Sequence, residues 1–180
     1  MISNLMKRFL FIPLLAVITL FSGFRPKGEW VKYTSAEGHF TIEFPGAPEE
    51  SSQDDRTEEG VFVKTNIASY AASETEAYMA GWTDMRTSYP KNGDIKQMLE
   101  NCRDGIAASM SAIKVTTIET NLGPNPYIEF TFYTEQVACK DRIYIINKYQ
   151  YSLVTIFGIK TGIQPSADKF ITSFKPVQGQ

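Results

Sequence analysis

The stretch EWVKYTSAEGHFTIEFPGAP, residues 29–48, decides how the rest of the chain is read. Trp30 and Tyr33 mark a short aromatic strand, and Glu37-Gly38 mark a tight turn. Phe40, Ile42 and Phe44 then alternate along a second strand that stops at Pro45-Gly46. A period of two puts these three side chains on one face, so they form the buried face of a hairpin to which the later strands and helices are expected to add. His39, beside the turn, falls on the other face, toward solvent or a second sheet surface.

Upstream, Lys7-Arg8 precedes an uncharged run from Phe9 to Phe21 and the small residues Ser22-Gly23. This is the pattern of a secretory signal peptide, assigned to residues 1–22, with residues 23–180 as one domain. A retained membrane anchor is the competing reading. The run is shorter than the roughly 20 apolar residues that a spanning helix needs, and Pro13 interrupts it. No cysteine ends the run, which argues against a lipoprotein anchor. Cleavage removes two of the 18 basic residues and none of the 20 acidic ones, leaving an exported domain more acidic than the full chain's −2. Such a domain has no general attraction for nucleic acid, and membrane contact is expected only through an uncleaved signal segment.

Downstream, residues 49–60 (EESSQDDRTEEG) are polar and acidic and read as a surface loop. Asp54, Asp55, Glu58 and Glu59 lack the spacing of a calcium loop. Residues 61–72 and 77–85 read as paired strands. In the second, Tyr78, Ala80 and Trp82 share one face while Met79, Gly81 and Met85 share the other. In residues 93–110 the period changes: Ile95, Met98, Leu99, Cys102, Ile106 and Met110 recur every three or four positions, predicting a long amphipathic helix capped by Asn92 or Asp94. A meander follows, with strands over 113–120, 127–134, 138–146 and 149–157 and turns at 121–126 and Asn147-Lys148. The last strand is apolar on both faces and should be central, covered on two sides. A short helix within 164–174, capped by Ser166, is expected to supply the second cover. The fold class is α+β: an antiparallel sheet of about six to eight strands with helices packed on it.

These residues also carry a family resemblance. The pattern Trp30-x-x-Tyr33 … Glu37-Gly38-x-Phe40-x-Ile42-x-Phe44-Pro45-x-x-Pro48 resembles the N-terminal signature of small secreted bacterial domains related to PsbP, an extrinsic photosystem II subunit. Gly123, Pro124, Glu129, Arg142, Tyr144, Tyr151 and the closing Ala167-x-Lys169-Phe170-x-x-Ser173-Phe174 extend the likeness, while residues 49–110 match only in the order of elements. The resemblance implies an α/β/α sandwich, shared with a nuclear Ran-binding protein, and a role in docking onto other proteins. Nothing in the residues points to photosynthesis.

Catalytic chemistry is thinly represented. There is one histidine and no nucleophile elbow, phosphate loop, zinc-protease motif or dinucleotide fingerprint, and nothing implies a cofactor. Cys102 and Cys139 are both placed toward the core, and either a disulfide or two free thiols is open to them. Glu129, Lys140, Asp141, Arg142 and Lys148 fall on neighbouring strands and read as a charged patch. The sequence therefore points to a non-enzymatic exported domain that binds a protein partner or supports an envelope complex. Its binding surface is sought at Lys140, Arg142 and Lys148 or at Asp54 and Asp55. The alternative is a small-ligand or lipid-binding module with an apolar pocket between sheet and helix.

Overall fold

The computed structural model describes residues 28–56, 62–87, 89 and 94–177. The expected signal peptide lies outside them. The described residues form ten strands: β1 (Val31–Ser35), β2 (Phe40–Phe44), β3 (Glu49–Arg56), β4 (Phe62–Ser73), β5 (Glu76–Asp84), β6 (Lys114–Asn121), β7 (Tyr127–Tyr133), β8 (Val137–Ile146), β9 (Tyr149–Gly158) and β10 (Lys175–Pro176). Among the described residues two helices accompany them, α1 (Ile95–Ser109) and α2 (Pro165–Ser173). The principal sheet is antiparallel and seven-stranded, in the order β3-β4-β5-β9-β8-β7-β6. As its two apolar faces require, β9 lies in the middle.

The opening hairpin does not join this sheet, contrary to the expectation that later elements add to it. With β10 it makes a separate three-stranded sheet, β1-β2-β10. Its alternation is as expected, with Phe40, Ile42 and Phe44 buried, but they face across a layer boundary onto the principal sheet. Phe40 meets Trp82, Tyr151 and Phe174 at ring separations of 5.3, 5.7 and 5.4 Å, and Phe44 meets Phe170 at 5.1 Å. Three of these pairs are edge-to-face and Phe40–Phe174 is tilted, and aromatic pairs of this kind each add about 0.5–1.5 kcal/mol beyond area burial. Two glycines permit the approach. A Cβ on Gly38 would lie 2.7 Å from the Phe40 ring, and one on Gly46 would lie 2.5 Å from the Tyr70 ring. The regular spacing of the opening stretch is thus a packing code.

α2 completes this aromatic layer through Ala167, Phe170 and Ile171. Its N-cap is Gln164, in extended backbone with Pro165 following, and not Ser166 as expected. Ser166 lies inside the first turn, where its Oγ is hydrogen-bonded to the Tyr78 hydroxyl at 2.7 Å. Proline at the first helical position lacks an N–H that would otherwise go unpaired, so the helix starts there without a side-chain cap.

α1 covers the other face. Asp94 is its N-cap, accepting from the Lys96 and Gln97 N–H groups at 2.9 and 3.3 Å. Met98 and Leu99 pack with Phe130, Phe132, Cys139, Ile143, Val154 and Ile156 in an aliphatic and methionine-rich core. The sheet is therefore covered on both sides, by α1 on one and by α2 with the small sheet on the other, in the expected α+β arrangement.

β3 corrects the sequence reading of residues 49–60 as a loop. Residues 49–56 pair antiparallel with β4 from Glu49↔Ser69 to Arg56↔Phe62. They lack apolar residues because β3 is an edge strand that needs only backbone partners on one side. Charges along an edge also discourage unwanted pairing. The β8–β9 turn is as expected, with Asn147 and Lys148 both left-handed (φ 51° and 64°), the geometry of a two-residue hairpin loop.

Candidate functional site

The residues proposed from sequence as a binding surface are not brought together. Asp54 is exposed on β3, at one edge of the principal sheet, and Asp55 takes its place in the same strand opposite Val63. Lys148 sits in the β8–β9 turn with its ammonium 6.0 Å from the Tyr89 ring centre. Lys140 and Arg142 lie within β8 on the aromatic face, only 14% and 15% exposed.

Lys140 and Arg142 are engaged internally. Register places Glu129 opposite Arg142, and the Glu129 side chain is 6% exposed. Arg142 donates to Glu129 Oε2 through Nε at 2.6 Å and also through Nη2. Its Nη1 donates to the Tyr144 hydroxyl at 3.1 Å, and its guanidinium lies 4.6 Å from the Tyr127 ring centre. Lys140 Nζ reaches the second Glu129 oxygen at 2.9 Å and Asp168 of α2 at 2.5 Å. A buried carboxylate thus receives two cations, one of which also ties the sheet to α2. This arrangement holds layers together and leaves little of either cation for a partner.

Asp141, read from sequence as part of the same charged patch, lies on the opposite face. It is fully buried, flanked along β8 by Cys139 and Ile143 and paired across strands with Phe130 and Val154. Neither carboxyl oxygen has a hydrogen-bond partner. Burial holds its carboxyl well above the ordinary carboxylate range, opposed only by the weaker influence of the Thr155 backbone N–H. Strand parity carries this signal: Cys139 reads as core-facing in the sequence, and residue 141, two positions on, shares its face.

Cys102 and Cys139 are free thiols in the α1-side core. Cys102 Sγ donates to Gln150 Oε1 at 3.5 Å, and burial pushes its thiol up to about 12. Cys139 is shifted upward by burial and further by Asp141. Neither is activated as a nucleophile, which would need a lowered pKa. His39 is exposed, with its ring edge-on to Tyr149 at 5.7 Å. Among the described residues no group of three or more His, Cys, Asp and Glu could hold a metal ion. The space between sheet and α1, proposed as the alternative apolar pocket, holds the side chains of Met79, Met98, Leu99, Phe130 and Phe132.

The surface that sequence reasoning missed is β6. Every residue of Lys114–Asn121 is exposed, and among the described residues the strand pairs on one side only, with β7. Ile113, Val115, Ile118 and Leu122 present large apolar side chains to solvent. A bulge between Thr117 and Glu119 interrupts the ladder, and Arg103 of α1 donates to Thr117 Oγ1 at 2.7 Å. A run of β-branched residues looks alike in sequence whether it is buried or lies at an edge, so its exposure had no local signal.

No protein-family model matches the chain, and a search of curated proteins finds no match. Among solved structures, the chain is similar to the solution structure of cyanobacterial PsbP (CyanoP) from Synechocystis sp. PCC 6803. The match has a TM-score of 0.49 and 7% identity, and covers 82% of this chain and 92% of the other.

Proposed function

We propose that the protein is a non-enzymatic, exported single domain that binds a protein partner, with an extended segment of that partner adding as a further strand on β6. The observation that carries this reading is the eight-residue edge strand, exposed along its whole length and flanked by exposed Ile113 and Leu122. An open edge offers a row of backbone donors and acceptors, and alternating side chains give such an addition its specificity. The other edge is differently equipped: β3 carries Glu49, Glu50 and Asp54. The docking role implied by the resemblance in the sequence points the same way. No helix among the described residues is long and apolar enough to cross a membrane.

The test is quantitative capture of envelope proteins from the native host, with the full chain as bait, alongside a Val115→Lys/Ile118→Lys variant. Both positions are exposed, so the variant should keep its urea midpoint while its apparent affinity for the captured partner falls about tenfold or more. Undiminished affinity in the variant, or no saturable partner under native expression, contradicts the reading.

A further inference from the structure

The buried carboxyl of Asp141 is not used by a docking edge on β6. An unpartnered polar group at zero exposure is costly even when neutral, and far more so when ionised. The groups that face it are known from each packed element. From β7 it meets Phe130, and from β9 it meets Val154, with Ser152 and Ile156 on the same face. Cys139 and Ile143 flank it along β8 itself. α1 contributes Met98, Leu99, Cys102 and Ile106 to the same core. The titratable groups in this set are the two thiols. No ion pair reaches Asp141 among the described residues, and the lysine and arginine next to it in sequence point to the opposite face.

We propose that Asp141 makes the seating of α1 on the sheet a proton-controlled latch: the protonated carboxyl permits the closed helix–sheet contact, and ionisation favours a state in which α1 lifts and water reaches the carboxylate. α1 is the element that can yield. Among the described residues its side-chain polar connections to the sheet are the weak thiol donor Cys102 on Gln150, at 3.5 Å, and Arg103 on Thr117 at the rim. α2, by contrast, is fixed through Ser166, Asp168 and Ser173, the last accepting from the Glu43 N–H at 2.9 Å. Lifting α1 would expose the methionine- and phenylalanine-lined face beneath it, a larger apolar surface than the closed protein shows.

The sign follows from proton linkage. The folded carboxyl titrates above its unfolded counterpart, so the closed state binds the extra proton. The stability contribution of Asp141 is fully present below the unfolded value of about 4 and is lost as pH rises through the raised folded value. Cys139, buried beside Asp141 under the helix, reports opening.

The experiment is labelling of the folded full chain with a neutral thiol reagent at several pH values from about 5 to about 8, all above the unfolded carboxyl's value of about 4, where a raised folded value makes ionisation favour the open state. Cys139 is resolved by peptide mapping, and each rate is divided by that of the urea-denatured chain to remove thiolate chemistry. The normalised rate in the wild type should rise about tenfold or more across this range, whereas Asp141→Asn, which cannot ionise, should stay flat within about twofold. Parallel profiles for the two proteins overturn the proposal. The urea midpoint of the wild type gives a second reading that does not depend on any variant: it should fall as pH rises from about 5 to about 8, and a constant or rising midpoint also overturns it.

Discussion

Glu129 and Asp141 are buried acids on adjacent strands, facing opposite sides of one sheet, and their surroundings are opposite as well. Glu129 receives Arg142 and Lys140, and Lys140 passes the connection on to α2. Among the described residues Asp141 receives no cation and no side-chain donor, and only the Thr155 backbone N–H acts weakly in favour of its charge. The same division runs through both layers. On the aromatic side, the Tyr151 hydroxyl donates to Gly38 O at 2.9 Å, Tyr78 bonds Ser166, and interlocked rings join hairpin, sheet and helix. Trp82 Nε1 is the unpartnered buried atom there among the described residues. On the α1 side, Asp141 and Ser152 on the sheet and Asn101 on the helix all keep buried polar atoms without partners. One layer is fixed by directional contacts, and the other is held by apolar contact around unsatisfied groups. Apolar contact is non-directional, so the second layer has the weaker claim on a single geometry.

The contrast can be broken most strongly at Phe40. Phe40→Ala removes the ring that joins Trp82, Tyr151 and Phe174 and should cost about 3–5 kcal/mol in urea unfolding. Arg142→Ala comes next, at about 3 kcal/mol, because it leaves Glu129 buried with Lys140 alone. Gly46→Ala forces the Tyr70 ring aside and should cost about 1–3 kcal/mol by the same measurement. The smallest effect belongs to the β8–β9 turn, where Lys148 holds φ 64°. Lys148→Gly relieves the left-handed penalty and should raise stability by up to about 1 kcal/mol. Asp141→Asn has the sign that these core losses lack, becoming more stable relative to the wild type as pH rises, because the amide cannot ionise.

Most of the fold was legible because period and parity act locally. The long helix, the paired strands β4 and β5, the central position of β9 and the Asn147-Lys148 turn all follow from spacing that neighbouring residues impose on one another. What escaped depends on distant partners. β3 has no apolar side chain to declare it, since β4 supplies the backbone partner. The hairpin at 29–48 shows its own inner face, but alternation does not say which sheet it joins. Ser166 has the chemistry of a cap, yet Tyr78 claims it from another element and Pro165 starts the helix without it. For the candidate site the order is reversed. The inward position of Asp141 was readable from parity, whereas the exposure of β6 depends on where the sheet ends.

The most direct test of the two-sided account is native-state amide hydrogen exchange at neutral pH in increasing low concentrations of denaturant. The account predicts that amides of α1 exchange through openings of lower free energy than global unfolding, with a denaturant dependence that is measurable but smaller than that of global unfolding, while amides of α2 and β2 exchange only as the whole domain unfolds. Equal protection in both helices, or greater protection in α1, would contradict it.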